Sequence, residues 1–296
     1  MSSSPTWRTV DVDGCRIRLM EAGEGEPLLF LHGWGLSPRT YADGISRLTA
    51  SGVRVIAPSL PGFGGSDGPP LRRIGLAAYS RRVADLIEAL ELERPPFVVG
   101  HSFGGGVAIQ LATDHPELVR SLTLVNTVGG APGRRTGMVD SSWLRWMAGA
   151  LTELHPRALA GSLPSLARTL VPNLVRRPLT LALTARLALT VDLVEQARAL
   201  VADGMPVLFV WGDQDRLVLP GALRSIEGAL PAEVVHGRHG WLLTEPQEFA
   251  TILHDALVVH AMLERRRRGQ SLRLPPGRSL ADLIPPERRS SARHRT

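Results

Sequence analysis

Short, continuous apolar runs alternate along this chain with longer stretches in which apolar residues recur every three or four positions. Pro27-Leu28-Leu29-Phe30-Leu31 is such a run, and it has the look of a strand buried on both faces. Val53 to Ala57, Phe97 to Val99, Leu122 to Val125 and Val207 to Val210 read the same way, and Val234-Val235 is a shorter one. Between the second and third runs, Leu76, Tyr79, Val83, Leu86, Ile87 and Leu90 fall at helical spacing. Phe249, Ile252, Leu253, Ala256, Leu257 and Leu263 repeat that spacing near the end, behind Pro246 at a first-turn position. Buried strands separated by amphipathic helices predict an α/β fold, with a mainly parallel central sheet and helices on both faces. Ligands then bind beyond the carboxyl ends of the strands.

One stretch breaks the alternation. Residues 129–204 contain no convincing strand, only helical patterns rich in Leu, Ala and Arg and punctuated by Pro156, Pro164, Pro172 and Pro178. The expected organisation is a core of residues 1–128 and 205–264 with a helical insertion, 129–204, between two of its strands. No internal repeat is evident.

Composition changes this picture only at the C-terminal end. With 296 residues, 44% hydrophobic and 21% charged, the chain has the balance of an ordinary globular protein. Its net charge of +6 suggests a polyanionic partner until the charge is located. Residues 265–296 hold ten of the Arg against Asp282 and Glu287, whereas the rest holds 24 Arg against 26 acidic residues. The basicity belongs to an Arg/Pro-rich segment with two Pro-Pro pairs, expected to be a solvated, disordered tail. That tail has no aromatics for bases to stack on, so no nucleic-acid partner is expected. Cys15 is the sole cysteine, which excludes an intrachain disulfide or a cysteine-bound metal cluster and suits a reducing compartment. Met1 to Pro5 lacks the basic start and apolar run of a signal peptide. No apolar stretch reaches the roughly 18 residues of a membrane span, Arg186 interrupting the richest candidate, Leu179 to Val194. A cytoplasmic protein without stable membrane insertion is the expectation.

The candidate chemistry begins where the third run ends. Gly100-His101-Ser102-Phe103-Gly104 fits G-x-S-x-G at a strand-to-helix turn. A serine held there adopts a strained backbone, and glycines two residues either side remove the collisions that larger residues would make. The amides of the following helix favour negative charge beside Ser102. A serine hydroxyl needs a base. Of nine histidines, His239 is placed best, in a loop after Val234-Val235 and before the last helix. His236 is the competitor, nearer the strand and read as structural. His101 adjoins Ser102, but the sharp turn should send its ring elsewhere. The base needs an acid in turn, and Val207 to Val210 runs into Asp213 and Asp215, of which one should face the histidine and the other serve the loop or surface. Leu31-His32-Gly33-Trp34-Gly35 follows a buried strand and could expose a backbone amide. The Trp34 and Phe103 N–H groups form the expected oxyanion pair. No HExxH pattern points to a metal, and no GxGxxG opens a helix, so no cofactor is expected.

With these motifs in this order the chain resembles the α/β-hydrolase superfamily, in its capped, esterase-like branch. The resemblance covers roughly residues 8–264. It rests on the HGW turn, Pro61-Gly62-Phe63-Gly64-Gly65-Ser66, GHSFGG, the G-x-x-D of Gly212 to Asp215, and His239 ahead of Glu245-Pro246. It implies that Asp215, not Asp213, completes a catalytic set of Ser102, Asp215 and His239, and that 129–204 forms a lid. Many relatives carry Asp where this chain has Ser59, a position that supports a loop rather than the chemistry. The implied activity is two-step acyl transfer on a small-molecule substrate, with small-to-medium apolar carboxylic esters expected. Hydrolysis of a C–C bond, a lactone or an amide on the same residues is the near alternative, and a non-catalytic ligand-binding sensor is the alternative of another class. A Ser rather than Asp nucleophile disfavours epoxide hydrolase and dehalogenase chemistry. Trp143 and Trp146, three apart in the insertion, are expected to pack lid against body or line an acyl pocket. The insertion carries nine Arg against five acids, expected on solvated helix faces.

Overall fold

A computed structural model describes residues 5–130, 168–218, 223 and 232–267, with residues 265–267 described as backbone only. Every strand expected from an apolar run is present: β3 (Glu26–Leu31), β4 (Val53–Pro58), β5 (Phe97–His101), β6 (Ser121–Val125), β7 (Val207–Gly212) and β8 (Glu233–Val235). Two further strands precede them, β1 (Thr6–Val12) and β2 (Cys15–Ala22). They pair antiparallel through a two-residue turn in which Asp13 and Gly14 both take positive φ, at 50° and 73°. That geometry matches the right-handed twist of flanking strands, and Asp-Gly is among the dipeptides that adopt it most readily.

The eight strands form one sheet in the order β1-β2-β4-β3-β5-β6-β7-β8. Pairing is antiparallel from β1 to β4 and parallel from there to β8. Helices cover both faces. On one, α1 (Ala42–Leu48) and α8 (Pro246–Arg267) pack Ile45, Leu48, Phe249, Ile252 and Leu253 onto Leu28, Phe30, Val55 and Val99. On the other, α2 (Leu76–Ala89) and α3 (Phe103–Asp114) pack Tyr79, Val83, Val107 and Leu111 onto Leu29, Leu31, Val98 and Leu122. Because side chains alternate along a strand, adjacent residues such as Leu28 and Leu29 enter opposite cores. Burial on both faces is why these strands read as unbroken apolar runs.

Between β6 and β7 the described residues include the helices α4 (168–176), α5 (Pro178–Thr190) and α6 (Val194–Ala202). Pro178 sits in the first turn of α5, where a missing N–H is harmless. Val194, Ala197, Leu200 and Val201 seat α6 against the core. Trp143 and Trp146 lie outside the described residues. At the other end, α8 runs on through Arg267, so the first arginines of the segment expected to be a tail continue the helix. Arginine is a good helix former, and cations are favourable at a helix C-terminus. The tail from residue 268 on lies outside the described residues. Among those described, no helix is long and apolar enough to cross a membrane.

Candidate active site

The carboxyl ends of the parallel strands share one rim, and the chemically interesting loops leave from it. Ser102 is the single residue between β5 and α3, with φ 53° and ψ −116°, a region that costs a non-glycine residue about 1–3 kcal/mol. Its surroundings hold it there. The Ser102 N–H donates to the Val125 carbonyl at 2.9 Å, and its own carbonyl accepts from Gly105, Gly106 and Val128. A Cβ at Gly100 would stand 2.6 Å from the Gly104 carbonyl oxygen, and one at Gly104 would overlap the backbone of Leu31. The glycines are there for space, as the motif suggested.

His239 arrives from the loop between β8 and α7 (Trp241–Thr244). Its Nε2 lies 2.9 Å from Ser102 Oγ and its Nδ1 lies 2.8 Å from Asp215 Oδ2. A carboxylate only accepts, so Nδ1 carries the proton and the Nε2 lone pair faces the serine hydroxyl. All three residues are buried. Burial pulls the Asp215 carboxyl up, but His239 beside it, their hydrogen bond, the Val218 N–H and Asn126 together hold it below the usual range. The amides of Leu217 and Val218 donate to Oδ1 at 2.9 and 3.0 Å, closing the turn after β7 round the charge.

The other carboxylate takes the role left to it. Asp213 pairs with His236 Nδ1 at 3.1 Å and accepts from the Gly237 N–H at 3.0 Å. The His236 side chain is 80% exposed, so both are loop groups outside the Ser102 cluster.

Two further residues, absent from the sequence reading, hold this arrangement. Asn126, with φ 44° just past β6, donates from Nδ2 to Asp215 Oδ2 and accepts at Oδ1 from Trp241 Nε1 at 3.1 Å and the Gly212 N–H at 3.3 Å. An asparagine directly after a buried apolar run, where the left-handed region is tolerated, was the available signal. Tyr41 joins two loops. Its hydroxyl accepts from the Gly33 N–H at 3.0 Å and donates to His101 Nδ1 at 2.8 Å, and His101 Nε2 donates to the His239 carbonyl at 3.2 Å. Burial foremost, with His239 alongside, pushes the His101 pKa down to about 3, so the ring stays neutral in this relay. Both ring nitrogens of His101 are thus engaged by Tyr41 and the His239 carbonyl.

Trp34 follows β3 in a turn closed by the Leu36 N–H on the Gly33 carbonyl at 3.2 Å. Its indole Nε1 reaches α5, at 3.1 Å from the Leu181 carbonyl and 3.0 Å from Thr184 Oγ1. Asn173 of α4 adds a bond to the Gly35 carbonyl at 3.3 Å. The inserted helices are thus fastened to the loop beside Ser102. Phe103 is the first residue of α3, within the turn whose amides lack partners inside the helix. Ser59 is fully buried beneath Gly64, and the Pro-Gly loop is held instead by Ser66 Oγ, which donates to the Ser59 carbonyl at 2.7 Å. Among the described residues no group of three or more His, Cys, Asp or Glu is arranged to hold a metal ion.

Residues 26–246 match a family model described as alpha/beta hydrolase fold. A curated relative from Cupriavidus necator, the dihydrolipoyllysine-residue acetyltransferase component of an acetoin cleaving system, is 33% identical over 244 residues, 79% of this chain and 63% of its own length. A 2-hydroxymuconate semialdehyde hydrolase from Pseudomonas sp. strain CF600 is 36% identical over 124 residues, 41% of this chain and 44% of the relative. The chain therefore spans less than two thirds of either of these curated relatives. Among solved structures, a serine hydrolase involved in carbazole degradation superposes with a TM-score of 0.70 at 23% identity, covering 86% of this chain and 99% of that one.

Proposed function

The chain belongs to the alpha/beta hydrolase fold family, and from that footing we propose that it is a serine hydrolase working by two-step acyl transfer. The observation that carries this reading is the unbroken hydrogen-bonded run from Asp215 through His239 to Ser102. His239 Nε2 takes the proton from Ser102 Oγ as the oxygen attacks the substrate carbonyl. The Trp34 and Phe103 amides receive the oxyanion. Asp215, ionised at neutral pH, steadies the imidazolium that forms. His239 then gives its proton to the departing alkoxide and draws one from a water. That water attacks the acyl-serine, releasing the acid and restoring the Ser102 hydroxyl.

The substrates we assign are small-to-medium, largely apolar carboxylic esters. Support comes from the apolar cluster around Phe103, which draws in Leu181 and Leu193 from the insertion, with Leu170 and Trp34 packed against it. In this reading the insertion caps the site and shapes its acyl pocket. A second reading, hydrolysis of a C–C bond beside a carbonyl, is favoured by the name of the Pseudomonas relative alone. Assaying p-nitrophenyl esters of graded chain length beside a ring-opened dienone, lactones and amides tests the choice. Ester turnover that disappears in Ser102→Ala supports the proposal. Turnover of the dienone alone moves the assignment to C–C hydrolysis, and none on any substrate favours a binding protein.

A further inference from the structure

Helices α4 and α5 turn more apolar side chains outward than a cover that ends at water needs. Their buried faces are mixed: Thr169, Asn173, Thr180 and Thr184 point inward together with Leu181, Ala185 and Ala188. Their outward faces combine arginines with large apolar residues. Val171, Leu174 and Val175 of α4 and Leu179, Leu183 and Leu189 of α5 account for six of the eight exposed large hydrophobic residues in the described part of the chain. Val175 is 74% exposed and Leu179 61%, either side of the bend between the helices. Scattered exposed leucines need no explanation, but a stripe collected on one two-helix surface does.

Charge narrows what covers it. Residues 168–190 contain four arginines and no acidic residue. Arg177 turns toward Asp67, at 3.9 Å, while Arg168, Arg176 and Arg186 are exposed with the stripe. A second copy would set those arginines against their own kind. An apolar stripe flanked by arginines suits a surface that is apolar within and negative at its boundary, because long guanidinium stems reach the boundary while shorter side chains enter it. We propose that the outward face of α4 and α5 is a peripheral docking surface for anionic lipid, which seats the molecule on a bilayer without spanning it. Docking at this surface does not depend on the reaction proposed for Ser102.

The test is co-sedimentation of the full chain with large unilamellar vesicles, of phosphatidylcholine alone or with a third phosphatidylglycerol, at low and physiological salt. The wild type is compared with Val175→Glu/Leu179→Glu. Both proteins carry the same arginine-rich C-terminal segment, so the difference between them isolates the helical face. The expected result is binding to phosphatidylglycerol vesicles that weakens at least tenfold in the double variant while its melting temperature stays put. A second variant, Arg168→Gln/Arg176→Gln/Arg186→Gln, keeps the stripe and is expected to lose at least threefold of the preference for anionic over neutral vesicles. Should the Glu variant fail to fold, that preference decides. Equal binding by wild type and both variants, no binding by the wild type, or a wild-type dimer in solution that the Glu variant abolishes would each overturn the proposal.

Discussion

Asn126 holds two ends of the site at once. Its amide donates to the Asp215 carboxylate while its carbonyl accepts from the Trp241 indole, so one buried side chain fixes both the acid and the helix behind His239. Asn126→Ala leaves those partners unsatisfied, at a cost of about 1–3 kcal/mol, and lets Asp215 drift. We expect kcat to fall by about tenfold to a hundredfold, the scale set by ångström-sized misplacement, in steady-state kinetics on a soluble ester. Tyr41→Phe probes the other support. It removes the hydroxyl shared by the Gly33 N–H and His101, and with it the tie between the Trp34 turn and the His239 loop. If that tie positions groups used only in the transition state, kcat drops and KM holds. An unchanged kcat with a raised KM would assign Tyr41 to binding instead. Ser102 and His239 could be singled out at this scale because the nucleophile and base proposed here need particular residue types at strand ends. Neither Asn126 nor Tyr41 was, since their roles depend on what lies across the fold.

At the scale of elements, legibility followed burial. The strands covered on both faces announced themselves as apolar runs. The β1–β2 hairpin did not, since six of the seven β1 positions are exposed or half-buried, with Thr, Arg and Asp among them. Its Asp-Gly turn was the missed signal. The separation of Asp215 from Asp213 needed either the family resemblance or the coordinates, because both stand just beyond β7. The elbow between β5 and α3 is the element most intolerant of change. Gly104→Ala would drive a methyl into the Leu31 backbone, so we expect a loss of more than ~3 kcal/mol or outright failure to fold. Gly75→Ala, at the start of α2 with nothing within 4 Å, should cost ~1 kcal/mol at most. Chemical denaturation of the two variants gives the comparison, and equal losses would mean that the elbow is looser than described.

For the whole molecule, three buried histidines contribute to the response to acid. Burial holds His32 and His260 at about 4 and His101 at about 3, against about 6.5 when unfolded. The unfolded chain then binds more protons than the folded one throughout that interval, so stability is complete above pH 6.5 and is lost as pH falls below it. With all three contributing, the loss grows as pH falls from about 6.5 toward 4. Denaturant midpoints at pH 7.5, 6.0 and 5.0 measure it, and a flat profile would show that the protonated rings find acceptors in the fold. The central claim, that residues far apart in the chain make Ser102 a nucleophile, is tested most directly by treating the intact protein with a fluorophosphonate and mapping the adduct by peptide mass. The account predicts a single adduct on Ser102, abolished in Ser102→Ala and strongly slowed in His239→Ala. A wild-type protein that resists the reagent, or carries it on another residue, would contradict it.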